Sequence, residues 1–188
     1  HNEIKQTNYA LQNDAEFANK VHNYLAQDKN PGEPYNGETT VYHYLELLRD
    51  VVGFEKLKQA VKNPLTGKKI AAYYGCMLLR PGKVMAMDDV ENPRILEDFI
   101  RALGAEPVLF PQRNECCGGY AALEDKALTA KKSNAVCSSA LNGGAELLVT
   151  ACPLCKYNLV KNAGTIPVMY FTELLAIALG VKEDVYAK

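Results

Sequence analysis

Five of the six cysteines in this chain stand in three blocks: Cys76 alone, the pair Cys116-Cys117 followed by Gly118-Gly119, and Cys152-Pro153-Leu154-Cys155. Residues 77–115 and 118–151 separate the blocks, and each interval has room for a helix, a strand and the turns between them. That repeat constrains the fold more than any other feature. If each block follows a parallel strand, the crossovers return the chain to one edge of the sheet. Sulfur atoms remote in sequence then gather there.

The apolar pattern supplies the strands. Residues 70–74, 107–110, 146–150 and 166–170 read as short strands, and the cysteine blocks follow the first three. Asn92-Pro93 predicts a helix start, with Ile95, Leu96, Phe99, Ile100 and Leu103 inward and a stop at Gly104. A longer helix is expected over 121–141, another after Cys152, and a last one from Thr172 to Leu179. This alternation predicts an α/β fold: a parallel sheet of about four strands, helices on both faces, and the cysteines at the C-terminal edge of the strands.

A helical segment is expected before the sheet. Residues 8–27 carry Leu11, Phe17, Val21 and Leu25 on one stripe. Thr39 or Thr40 would cap a second helix with Tyr44, Leu45, Leu48, Val51 and Val52 inward and Gly53 at its end. A third, short helix covers 54–61. The expected division is therefore 1–67, a helical remnant of or link to a preceding half, and 68–188, the α/β domain. The chain begins at His1 without Met, which is read as a piece of something longer. Tyr42, Leu45 and Leu48 are expected to offer a docking surface.

Composition excludes several classes. With 188 residues, 48% hydrophobic, 23% charged and a net charge of −1, the chain is that of a globular protein without a nucleic-acid surface. No run of 18 apolar residues and no leader pattern occurs, so a membrane enters only through a partner. Cysteines at strand ends, in a chain that is not a small stapled scaffold, point to a reducing, cytoplasmic setting and to metal or redox work.

Thiolate sulfur is soft and selects iron-sulfur clusters or zinc. Five sulfurs exceed what one tetrahedral ion takes, and adjacent cysteines share one ion only with strain, whereas they can bind different irons of one cluster. Cys152 and Cys155 enter a helix whose N–H groups and dipole favour thiolate. Gly118 and Gly119 permit close backbone approach and N–H donation to sulfur, and Gly75 does the same before Cys76. Cys137, amid Ala135, Val136, Ala140 and Leu141, reads as packing. Tyr73, Tyr74 and Tyr120 read as packing with a capacity to donate to a bound ligand. His22 and His43 read as surface or packing residues. Two alternatives stay open: a zinc site using four of the sulfurs or three plus another donor, and a metal-free thiol–disulfide oxidoreductase using the C-x-x-C alone. The second leaves Cys76, Cys116 and Cys117 without a role. No G-x-G-x-x-G follows the first strand, so no dinucleotide is expected.

The segments around the cysteines resemble a known family. Asn63-Pro64-Leu65-Thr66-Gly67-Lys68-Lys69, Tyr73-Tyr74-Gly75-Cys76-Met77-Leu78-Leu79-Arg80-Pro81, Leu103-Gly104-Ala105-Glu106-Pro107-Val108, Glu115-Cys116-Cys117-Gly118 and Ala151-Cys152-Pro153-Leu154-Cys155-Lys156-Tyr157-Asn158-Leu159 are similar to the cysteine-rich CCG domain family. Within it, the disulfide-cleaving subunit of heterodisulfide reductase is the nearer match, over roughly residues 40–180. The resemblance implies a non-cubane [4Fe-4S] cluster held by Cys76, Cys116, Cys117, Cys152 and Cys155. It further implies ferredoxin-like and flavin-containing partner subunits and a small-molecule disulfide as substrate. Family members usually carry two cysteine sets on two related halves, and this chain carries one, corresponding to the second. Related subunits serve in glycolate, lactate, glycerol-phosphate and succinate-oxidising complexes, and some family sites hold zinc. The resemblance therefore implies part of an oxidoreductase, inactive alone, and does not fix the substrate.

Overall fold

Strand β1 (Lys69–Tyr73) alternates its side chains between two apolar layers, and the fold grows outward from it. Ile70, Ala72 and, just past the strand, Tyr74 enter one core, while Ala71 and Tyr73 enter the other. The computed structural model describes residues 1–181; the end of the expected second segment, 182–188, lies outside the described residues. Strands β2 (Glu106–Val108), β3 (Leu147–Thr150) and β4 (Val168–Tyr170) complete a four-stranded sheet in the order β2-β1-β3-β4. Every pairing is parallel: Ala71 lies opposite Val108 on one side and Leu148 on the other, and Leu148 lies opposite Val168. The expected α/β class and parallel sheet are thus found, with β2 and β4 each shorter than the sequence suggests.

The helices are α1 (Asn2–Asn13), α2 (Ala15–Leu25), α3 (Tyr44–Glu46) running into a π-helical turn at Leu47–Val52, and α4 (Phe54–Ala60). They continue with α5 (Gly82–Met85), α6 (Ile95–Ala102), α7 (Lys126–Asn142), α8 (Pro153–Asn162) and α9 (Phe171–Leu179). One core joins β1 to α3, α4, α6 and α9 through Leu45, Leu57, Phe99, Ile100, Phe171 and Leu175. The other joins it to α7 and α8 through Val136, Ala140, Leu148 and Leu159, and it includes Cys117, Cys137 and Cys155. The sheet is covered on both faces.

Several element ends differ from the sequence reading, each for a local reason. Residues 8–27 are two helices, because Asp14 is extended and its carboxylate accepts the Phe17 N–H at 3.0 Å, opening α2. Leu11 is buried, yet α2 buries none of its residues, so Phe17 and Leu25 face solvent. His43, not a threonine, caps α3: its Nδ1 accepts from Leu45 N at 3.1 Å while Glu46 accepts from His43 N at 2.6 Å. The wide turn that follows changes the helical period, so Leu45 and Leu48 are buried while Tyr44, Val51 and Val52 are exposed. Of the expected docking trio, only Tyr42 is at the surface. Asn92 is not the cap of α6. Asp88 fills that place, accepting from Arg94 N at 2.6 Å and Ile95 N at 2.7 Å, and all five expected inward residues are buried. Helix α7 starts at Lys126 under an Asp125 cap, since the left-handed Gly118 and a 3₁₀ turn at Gly119–Ala121 occupy the preceding stretch. Helix α9 opens one residue before Thr172, with Glu173 accepting from Tyr170 N at 2.7 Å.

Asp88→Ala should destabilise the domain by about 1 kcal/mol, the usual effect of removing such a cap. Chemical denaturation of the reduced protein measures it, and an unchanged midpoint would place the start of α6 under other control.

Candidate metal centre

The turns after β1, β2 and β3 carry the three cysteine blocks to one rim of the sheet. Gly75, at φ +66, makes the first turn. A Cβ there would stand 3.0 Å from Cys155 Sγ, so the missing side chain is what lets the first and third blocks approach. The Cys117 and Cys155 sulfurs share a hydrogen bond at 3.6 Å. Cys152 lies against Cys155 at the start of α8, and Cys76 lies beside Cys116 and Cys117. The five thiols predicted from sequence reach this rim as neighbours, Cys76 with Cys116, and Cys117 and Cys152 each with Cys155. Cys137 is not among them; it is fully buried on the inner face of α7, where burial pushes its thiol up to about 11.

Donors surround the sulfurs. Gly118 N donates to Cys116 Sγ at 3.3 Å, and the Gly119 N–H favours the Cys117 thiolate. Asn158, fully buried on α8, points its Nδ2 at Cys117 Sγ at 3.7 Å. A Cβ on Gly119 would meet that amide nitrogen at 2.6 Å, so the glycine makes room for the donor. The Leu154 and Cys155 N–H groups at the N-terminus of α8 favour thiolate at Cys152. Hydrogen bonds with the Cys155 thiol, helped by these donors, outweigh burial and bring Cys117 and Cys152 down to about 6. Cys155, between the two, is pushed strongly upward by the same contacts and keeps its proton. Burial, then the neighbouring Cys116 sulfur, raises Cys76 to about 11.

The backbone around the rim is fixed by side chains that the sequence did not single out. Ser133 Oγ donates to Cys117 O at 3.0 Å, and Thr129 Oγ1 to Gly118 O at 3.1 Å, so α7 holds the cysteine-pair loop. Tyr73 and Tyr74 give their hydroxyls to the protein: Tyr73 Oη donates to Glu115 O at 2.7 Å, and Tyr74 Oη donates to Glu97. Burial and the surrounding sulfurs push the Tyr73 hydroxyl far up, so it stays a donor. Tyr120 is exposed. With Met77, Cys152, Tyr170 and His43 it lines a cavity of about 350 Å³ at the rim. His43, remote in sequence, is thus near the site, but its Nδ1 accepts from backbone and burial lowers its pKa. His22 lies elsewhere, hydrogen-bonded to Tyr35 O at 3.0 Å. Helix α1 also reaches the rim, with Asn2 Nδ2 donating to Met77 O at 2.7 Å and Arg80 O at 2.9 Å.

The donor set fits a metal–sulfur group: five soft atoms on one rim, three turns with glycine at close approaches, and N–H groups aimed at sulfur. Among the described residues, no group of three or more His, Cys, Asp or Glu side chains is arranged around a single ion. The thiols pair with one another instead.

A parallel α/β sheet that delivers thiols from successive turns to one rim defines a cysteine-rich α/β domain. Residues 70–160 match the family described as CCG, cysteine-rich domain. The 8-methylmenaquinol:fumarate reductase membrane anchor subunit of Wolinella succinogenes is 34% identical over 157 residues, 78% of this chain and 55% of that protein. A Methanosarcina mazei subunit of ferredoxin:CoB-CoM heterodisulfide reductase is 30% identical over 198 residues, covering 96% of this chain and 63% of that protein. The chain therefore spans less than two thirds of the length of these curated relatives. A crystal structure of a hypothetical protein from Helicobacter pylori shares the fold, with a TM-score of 0.64 at 14% identity over 93% of this chain and 32% of that one. Among the described residues no helix is long and apolar enough to cross a membrane.

In metal-free, reduced protein, Cys152 should alkylate with a pH midpoint near 6, because its lowered pKa leaves it a thiolate above that value. Cys76 should react only as pH approaches 11. Mass spectrometry of iodoacetamide-treated protein reads both. Equal midpoints near about 8.5, the value of a free thiol, would contradict the described surroundings.

Proposed function

We propose that the chain is an iron-sulfur-bearing domain of a heterodisulfide-reductase-like redox complex, moving electrons to or from a disulfide or a related acceptor. The observation that carries this reading is the meeting of five thiols from three strand-end turns, with N–H donors turned toward the sulfurs. Cys76, Cys116, Cys117, Cys152 and Cys155 would hold a [4Fe-4S] cluster, whose bound form supplies one-electron steps. The protein's own part is to present sulfur, to keep thiolate at Cys117 and Cys152, to donate from Gly118, Gly119 and Asn158, and to exclude water with the core around Tyr73. Residues 1–67 would serve as the helical segment joined to the CCG-type domain of 68–188.

The similarity to subunits named for heterodisulfide reductase and fumarate reductase supports a place among partner subunits. Ferredoxin-like and flavin-containing chains are the proposed partners, with a cytoplasmic position or one at a membrane through a partner. A zinc centre on the same rim is the second reading. The reactive thiolate expected at Cys152 also suits zinc, which binds deprotonated sulfur.

Protein purified without oxygen should carry about four iron and about four acid-labile sulfide per chain, as a [4Fe-4S] centre requires. Cys76→Ser and Cys116→Ser should each lower both. One zinc with no sulfide would replace the cluster reading with the second, and neither metal after reconstitution would overturn both.

A further inference from the structure

Glu97 is buried to 1% exposure in the first turn of α6, and a carboxylate so placed needs partners. Tyr74 Oη donates to its Oε2, and the Arg113 guanidinium donates to its Oε1. Arg113 also donates to Pro93 O at 2.9 Å and Asn92 Oδ1 at 2.5 Å. Tyr74 Oη in turn accepts from Leu96 N at 2.9 Å, and Tyr74 N donates to Arg113 O at 2.7 Å.

The placement of the three residues is what matters. Tyr74 precedes Cys76 by two positions and Arg113 precedes Cys116 by three, so the network ties the first cysteine turn to the second through α6. Tyr73, the neighbour of Tyr74, does the same on the opposite face through Glu115 O. Two adjacent tyrosines, pointing to opposite sides of the sheet as strand geometry requires, thus grip one loop from both sides. A buried ion pair is a poor source of stability, since apolar residues of similar size often serve as well or better; its better attested use is to fix one arrangement among several.

We propose that Tyr74, Glu97 and Arg113 are positioning residues for the centre: they set the separation of Cys76 from the Cys116-Cys117 pair. Their role is in sulfur geometry and not in the stability of the domain. This rests on the reading of the rim as a metal–sulfur site.

The test compares wild type with Glu97→Leu/Arg113→Met, which removes the ion pair without stranding a charge, and with Tyr74→Phe, which removes one hydroxyl. Cobalt(II) is titrated into the reduced, metal-free proteins and followed by its thiolate charge-transfer absorption. In parallel, mild diamide oxidation and peptide mapping score the Cys76–Cys116 disulfide. The double variant should melt within a few degrees of wild type, bind cobalt at least about tenfold more weakly, and form that disulfide more slowly. Tyr74→Phe should shift both readouts in the same direction by a smaller factor. If the double variant does not fold, Tyr74→Phe decides the matter alone. Wild-type cobalt affinity and disulfide rate in a folded variant would overturn the proposal. A wild-type protein that shows no thiolate charge-transfer band would instead count against the metal–sulfur reading, and the disulfide rates would still judge the clamp.

Discussion

Strand β1 is hydrogen-bonded in parallel to β2 on one side and β3 on the other, and this pairing places the three cysteine turns on one rim. Parallel neighbours leave the sheet in the same direction, so whatever follows each strand emerges at the same end. An antiparallel neighbour would send one block to the far edge, more than a strand length away. The two apolar cores hold this pairing by burying β1 on both faces, and Ile70, Ala71, Ala72 and Tyr73 are all fully buried. Stability of the sheet and convergence of the sulfurs are therefore one property.

Given that frame, small residues and donors decide how closely sulfur can gather. Gly75 lets Cys155 approach the first turn, and Gly119 leaves space for the Asn158 amide. Thiol burial alone would raise every pKa, as it does at Cys137. Around Cys117 and Cys152 the hydrogen bonds outweigh burial and the balance reverses. The rim thus holds thiolates and protonated thiols side by side, an arrangement suited to taking up a cationic metal group and releasing protons as it does so.

The parallel sheet, its alternation with helices and the placing of the cysteine blocks after strands were legible in the sequence, because short apolar runs and a repeating interval depend on local pattern; the strand order β2-β1-β3-β4 depends on packing and was not. Helix α6 was legible for its buried face and not for its start, since Asp88 caps it from six residues away while Asn92 looks like the cap. The exposure of Val51 and Val52 was hidden by a π-helical turn, which the ordinary helical period does not anticipate. Asn158, Glu97 and Arg113 were missed for a different reason: their partners lie 41, 23 and 16 positions away, and only the folded sheet pairs them. Asn158 alone gave a local hint, standing one helical turn beyond Cys155 on the same face.

Anomalous diffraction at the iron edge, from crystals of anaerobically reconstituted protein, tests most directly whether three turns serve one centre. Iron scattering is predicted at the rim, with Cys76, Cys116, Cys117, Cys152 and Cys155 all within bonding distance of the same centre. A centre bound by the C-x-x-C and one further block, with Cys76 turned away from it, would contradict that prediction and the shared five-thiol centre with it.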